Sequence, residues 1–346
     1  MKIIITGGAG FLGLHLASYL HKKKCELTLI DIQQFDKKEY GKNYKLALCD
    51  IRDKKKLAGL IKRNDIIIHA AAALPLWKKE DIYTTNIDGT RNILELAKKN
   101  DIKRVIYISS TAVYGIPKKH PIEEEDPRIG VGAYGESKIL AEDLCFRAID
   151  KGLNVTILRP KTFVGTGRLG VFEILFDWIY DGKKIPMIGN GSNKYQLLDV
   201  DDLVEAIYLF CIKTKGNYNN AFNIGAGEFS TVKKDLGELF KFAKSGSTIF
   251  TTPAFLVKKA LWFFEKIKVS PLYQWVYDTA DKDSFVSIDK ITRTLNWKPK
   301  YSNAQALIKS YSWYLKNYTE IKSKTSGVTH TVGWKQGVLK IFKNFA

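Results

Sequence analysis

Cysteine is scarce and scattered. Cys25, Cys49, Cys145 and Cys211 are the four in 346 residues, and none belongs to a Cys-x-x-Cys pair. That pattern excludes a disulfide-stapled fold and a cysteine-zinc centre. The five histidines add no metal-ligand spacing, so no metal site is expected. No apolar run approaches the ~20 residues that a membrane span needs. The amino terminus is apolar after Lys2, but Gly7, Gly8, Gly10 and Gly13 interrupt it and no cleavage-site pattern follows; it reads as strand and turn rather than leader. Acid is the other shortage. Against 55 Lys and Arg stand 36 Asp and Glu, a formal charge of +19. Such an excess suits an anionic partner. The lysines are nevertheless spread over nearly every predicted helix, without an arginine-rich block or a nucleic-acid module, so specific nucleic-acid binding is not expected. Reduced thiols and a cytoplasmic location are.

A 45% hydrophobic chain of this length should form two lobes, because one core rarely grows beyond about 250–300 residues. Lys2 to Thr6 is a β-branched run ending in Gly7-Gly8-Ala9-Gly10-Phe11-Leu12-Gly13, after which Leu14, Leu16, Ala17 and Leu20 fall at helical spacing. In a strand, glycine turn and helix, the glycines let backbone approach a pyrophosphate and the helix start offers it free amides. The next strand, Leu27 to Ile30, ends in Asp31, an acid placed to bond the adenosine ribose and to favour NAD over NADP. The alternation continues. Leu46 to Leu48 leads to Asp50-Ile51, Asp65 to Ile68 leads to His69-Ala70-Ala71-Ala72, Thr90 to Lys99 is helical, and Arg104 to Ile108 runs into Ser109-Ser110-Thr111-Ala112-Val113-Tyr114-Gly115. This predicts an α/β fold with a doubly wound parallel Rossmann sheet, whose ligands gather at the carboxyl ends of the strands.

Tyr134-Gly135-Glu136-Ser137-Lys138 opens a segment that reads as helical. Spacing i, i+4 puts phenol and ammonium on one face, and the ammonium favours a phenolate whose pKa is otherwise about 10. Alone, such a pair arises on many solvated helices, so its context decides. That context resembles the NAD-dependent epimerase/dehydratase branch of the extended short-chain dehydrogenase/reductase superfamily. The resemblance covers residues 1 to 318 and rests on Thr6 to Gly13, Asp31, Asp50, His69-Ala-Ala-Ala, Ser-Ser-x-x-Val-Tyr-Gly, Tyr134 with Lys138, and Leu158-Arg159-Pro160. It implies Tyr134 as catalytic base, Ser110 as catalytic hydroxyl, and Lys138 as holder of the nicotinamide ribose. It further implies NAD as cofactor. Gly7, Gly10, Phe11, Leu12 and Gly13 would line the pyrophosphate, Asp31 the ribose, Asp50 and Ile51 the adenine, and Ala70, Ala72, Ser109 and Pro160 the inner half. The NAD-binding domain would span 1–164 with 195–225 returning to it. Residues 165–194 and 226–318 would form a smaller mixed α/β substrate lobe, 319–346 a tail, and the helices flanking the active site a homodimer interface.

Departures from the family pattern shape the substrate question. Relatives acting on UDP-sugars grip the diphosphate with an asparagine and two arginines; the corresponding positions resemble Thr162, Tyr195 and either Val276 or Tyr277. Arg168, Lys183 or Lys194 are candidate replacements, and Thr111 a further substrate contact. Dehydratases follow the catalytic hydroxyl with an Asp-Glu pair; here Thr111-Ala112 stands instead, so dehydration is not expected. The small-molecule substrate is therefore a nucleotide-sugar in an epimerase or, alternatively, a hydrophobic or lipid-linked alcohol in an enzyme similar to hydroxysteroid dehydrogenases. A non-catalytic dinucleotide sensor would not need Ser110, Tyr134 and Lys138 together.

Some residues have quieter readings. His69 reads as a satisfied buried histidine, Asn86 as a family asparagine or a helix cap, and Asp202 as a helix cap rather than a metal ligand. Beyond Glu320 no acid occurs, and Trp334, Val338, Ile341, Phe342 and Phe345 share a helical face, with Lys335, Lys340 and Lys343 off it. That is a basic amphipathic tail suited either to peripheral membrane contact or to docking on the protein itself. Ala254 to Ile267, aromatic with Lys258 and Lys259, is a second such surface.

Overall fold

The structure, a computed structural model, describes residues 1–36, 38–40, 44–62, 66–75, 77–167, 171–213, 216, 218–266, 274–323 and 343. Seven parallel strands form its central sheet. From one edge they run Ala221–Ile224, Val155–Pro160, Arg104–Ile108, Ile66–His69, Lys2–Thr6, Glu26–Asp31 and Lys45–Leu48. Side chains alternate across the sheet, and both faces are covered. Ile3 and Ile5 pack with the helices Phe11–Lys22 and Val200–Ile212, whereas Ile4 packs with Thr90–Lys99 and Gly132–Asp150. Burial on both sides explains why the inner strands read as unbroken apolar runs, while the edge strand Lys45–Leu48 is largely exposed. The chain winds outward from Lys2–Thr6 in one direction and resumes on its other side at Ile66–His69. Outside the strand ends at that reversal lies the crevice in which doubly wound sheets bind ligands.

A second core lies in the helices Val171–Tyr180, Val232–Ala243 and Asn303–Lys316, through Ile174, Phe176, Ile179, Leu239, Leu307, Tyr311 and Tyr314. Two small parallel sheets join it to the rest: Phe163–Val164 with Leu198–Asp199, and Ile185–Ile188 with Ile249–Thr252. The second lies in a stretch bounded by Gly182 and Gly191. Ile185 and Met187 are buried and alternate with exposed Pro186, a strand too short for its period to stand out.

The acidic cluster is reassigned. Asp199, not Asp202, caps the helix Val200–Ile212, accepting from the Asp201 N–H at 2.9 Å. Asp202 instead accepts from the backbone N–H groups of Lys300 and Tyr301, at 2.9 and 3.1 Å. It fastens a distant segment to the helix. Among the described residues, no group of three or more His, Cys, Asp or Glu could hold a metal, and no helix is long and apolar enough to cross a membrane. The apolar tail positions lie outside the described residues. Lys343 does not: it is buried and pairs with Asp177 at 2.5 Å and Asp181 at 2.6 Å. Its charge is matched by the protein's own carboxylates rather than presented outward.

Candidate active site

The helix Phe11–Lys22 begins after Gly10 with no side-chain cap, so its first amides remain open to an anion. Two glycines are sterically required here, one in the turn before the helix and one in its first turn. Gly7 has φ +73°, and a Cβ there would stand 2.8 Å from the Ala71 nitrogen; a Cβ on Gly13 would meet the Gly7 carbonyl oxygen at 2.2 Å. The turn therefore packs onto both the next helical turn and the Ala70–Ala73 loop. Asp31 braces it, accepting from the Ala9 N–H with one oxygen and from the Gln33 N–H with the other, each at 2.9 Å.

One cleft runs along this turn from Asp31, Gln33, Asp50, Ile51 and Arg52 to Ser109, Tyr134, Lys138 and Phe163, passing Gly10, Leu12, Ala70 and Ala72. Burial alone would raise the Asp50 carboxyl, but hydrogen bonds and charge from Arg52 hold it below its usual range. Asp31 and Asp50 are the only acids lining the cleft among the described residues, and both lie at the outer end. A tight glycine turn, open helix amides and a distal ribose-side carboxylate fit a dinucleotide.

At the inner end, Gly135 brings the helix Gly132–Asp150 against the turn Thr111–Tyr114: a Cβ there would stand 3.0 Å from the Ala112 carbonyl oxygen. Ser110 caps that turn, its Oγ accepting from the Ala112 N–H at 3.1 Å, which leaves its O–H free to donate. Half-buried Tyr134 lies on the facing helix. Lys138, one turn on, is 2% exposed and donates to the Ile108 carbonyl at 2.9 Å and the Tyr107 hydroxyl at 3.3 Å. Its third N–H remains for a ligand. Burial pushes the ammonium down to about 8, a shift that the Glu142 charge opposes.

Asn86 is not a helix cap. Its side chain clasps the backbone of Ala73, accepting at 2.9 Å, and donates to Ser137 Oγ at 2.9 Å, while Ser137 donates to the Tyr134 carbonyl at 2.8 Å. The cleft loop and the Tyr134 helix are thus tied by one amide. His69 is satisfied and buried, as expected. Thr90 gives its only hydroxyl proton to the Asn86 carbonyl, so His69 Nε2 must donate to Thr90 and Nδ1 accept from Thr6. Burial, with the Lys138 charge adding to it, pushes this imidazole down to about 3.

Other expected contacts are engaged elsewhere. Ser109 lines the cleft, yet its hydroxyl donates to buried Glu142 at 2.5 Å. Thr111 is buried with its hydroxyl toward the Pro160 carbonyl, and Thr162 and Tyr195 bond each other at 3.0 Å. Arg168 lies outside the described residues. Beside the Thr162–Tyr195 pair is a lysine that the sequence reading passed over. Lys161 is 2% exposed, donates to Ser284 Oγ at 2.6 Å and stands 4.8 Å from the Tyr195 ring centre. No carboxylate pairs with it among the described residues. A lysine directly after the Arg-Pro strand end, in an apolar stretch, was the available signal.

The description of the family model that matches residues 3–225 is NAD dependent epimerase/dehydratase family. The protein y4nG of Sinorhizobium fredii is 32% identical over 341 residues, 98% of this chain and 84% of that protein. UDP-N-acetyl-alpha-D-glucosaminuronate decarboxylase of Bacillus cytotoxicus is 31% identical over 272 residues, 73% of this chain and 83% of its own. Among solved structures, epimerase Mth375 of Methanothermobacter thermautotrophicus superposes with a TM-score of 0.78 at 23% identity, covering 93% of this chain and 94% of that one. With that match over more than half its length, the chain belongs to the NAD dependent epimerase/dehydratase family of extended short-chain dehydrogenase/reductases.

Proposed function

We propose that the protein is an NAD-dependent nucleotide-sugar epimerase. The observation that carries this reading is the placement of Tyr134 and Lys138 on one helix face at the inner end of the dinucleotide cleft, against the turn that Ser110 caps. Bound NAD supplies a reversible hydride acceptor. Tyr134 takes the proton of the substrate hydroxyl, and Ser110 donates to the oxygen on which charge develops. Lys138, held against Ile108 and Tyr107, orients the ribose and stabilises negative charge on the Tyr134 oxygen. The epimer would form when the carbonyl has turned over, the abstracted hydride is given back to its other face, and Tyr134 returns the proton to the oxygen. Among the described residues no carboxylate lines the inner end of the cleft to remove water, which supports epimerisation over dehydration.

Incubation with UDP-glucose and UDP-glucuronate, followed by NMR, is expected to give C4 epimers without net NADH absorbance. Net NADH from a hydroxysteroid with no sugar turnover would establish the alternative oxidoreductase. Carbon dioxide from UDP-glucuronate would instead place the enzyme with its decarboxylase relative.

Lys161 supports an anionic substrate in the absence of the usual arginines. Burial pushes its ammonium down to about 7. The charged form exists below that value and is lost above it, so KM for the nucleotide-sugar should rise as pH climbs through about 7, approaching tenfold per unit. Lys161→Met should raise KM roughly tenfold or more below that pH and flatten the profile, with kcat largely kept. An unchanged KM profile in the variant would remove Lys161 from substrate binding.

A further inference from the structure

The helix Ala254–Lys266 presents an unusual outer face. Phe255 is 66% exposed, Leu256 61%, Trp262 47% and Phe263 55%. With Lys259 and Lys266, also exposed, they occupy positions i, i+1, i+4, i+7, i+8 and i+11, an arc of about 120° at the helical period. The opposite side is anchored. Leu261 is buried, and Lys258 donates to the Asp278 carbonyl at 3.0 Å and pairs with Asp281 at 2.6 Å. The aromatic face is therefore fixed outward by contacts on its reverse side. Its two cations lie over its own rings, Lys259 at 4.3 Å from the Phe255 ring centre and Lys266 at 3.8 Å from that of Trp262.

We propose that this face docks the enzyme peripherally on an anionic lipid surface. Four large apolar side chains, one of them tryptophan, can enter the headgroup boundary while the lysines extend to the phosphates along their own alkyl stems. The helix has 13 residues and spans about 20 Å, too short to cross ~30 Å of hydrocarbon, so it lies in the plane. The six face positions contain two lysines and no acid, on a chain of formal charge +19. That charge matches anionic lipid. It opposes a second copy, because a two-fold contact through this face would set its lysines against themselves.

The test is independent of the substrate. The full-length chain is sedimented with phosphatidylcholine vesicles with and without phosphatidylglycerol. Wild type should bind the anionic vesicles and weaken with salt. Trp262→Ser/Phe263→Ser and Lys259→Glu/Lys266→Glu should each lower the partition coefficient about tenfold or more. All substituted side chains are exposed, and unchanged NAD binding by both variants verifies that they fold. Trp334→Ser/Phe342→Ser, which keeps Ile321 and the Lys322 and Lys343 ion pairs with Asp177, separates the tail: binding that survives it supports this helix as the docking element. Absence of wild-type binding, undiminished binding by either helix variant, or loss through the tail substitutions alone would overturn the proposal. So would a dimer in analytical ultracentrifugation that Trp262→Ser/Phe263→Ser converts to monomer.

Discussion

Tyr134→Phe should lower kcat by about 10²–10⁴-fold, the range for loss of a positioned acid–base group, while NAD affinity stays within roughly threefold. The substitution removes one oxygen and keeps the ring. Neither the glycine turn nor the Asp31 brace depends on that oxygen, and the helix is held by Asn86 and Ser137 through the Tyr134 backbone carbonyl. Proton transfer should therefore fail without loss of the cleft. Lys138→Met should behave differently, because the ammonium contacts Ile108 and Tyr107 and lines the cleft; weaker NAD binding should accompany its slower turnover. Cofactor titration by fluorescence together with steady-state epimerase assays separates the two. Turnover by Tyr134→Phe within tenfold of wild type would mean that another group moves the proton.

The parts of this cleft carried by local sequence are legible in it. Gly7 to Gly13 must be followed by a helix and preceded by a strand to form a phosphate turn, and all three lie within a short window. Fold class follows from the same alternation, since buried parallel strands are apolar throughout. Asn86, Lys161 and Glu142 were not legible as site supports, because their meaning lies in partners that the fold supplies. Asn86 reaches Ser137 across 51 positions and Lys161 reaches Ser284 across 123. Asn86 and Asp202 were both readable as caps, since Asn and Asp favour that position wherever a helix starts. Which helix starts where, and which backbone crosses nearby, is decided by packing. The exposed face of Ala254–Lys266 is the converse case. The sequence marks it as an aromatic, lysine-bearing candidate surface, and the exposure of Phe255, Leu256, Trp262 and Phe263, with Leu261 buried, decides which side of the helix faces out.

Glu142 carries the largest expected effect on stability. It is fully buried and forms two parallel hydrogen bonds with Arg159, at 2.9 and 2.7 Å, while accepting also from Ser109 and from Arg128 at 3.2 Å. Arg159 continues the network to the Tyr114 hydroxyl and the Glu124 carbonyl, and Tyr114 donates to Asn223. Burial alone would push the guanidinium down; the bonds and charge of Glu142 reverse this and hold it above its ordinary value. Glu142→Gln strands a buried cation and should cost about 3–5 kcal/mol in urea unfolding. The double substitution Glu142→Leu/Arg159→Met removes both charges and should recover much of that loss, since the penalty comes from leaving one ion uncompensated. Because Ser109 is tied to Glu142 on the helix that bears Tyr134, the pair also fixes the strand end carrying Ser110 relative to that helix. The double variant should then be stable but slow, with kcat reduced more than NAD affinity. If Glu142→Gln unfolds within about 1 kcal/mol of wild type, the pair is not what holds these two elements together.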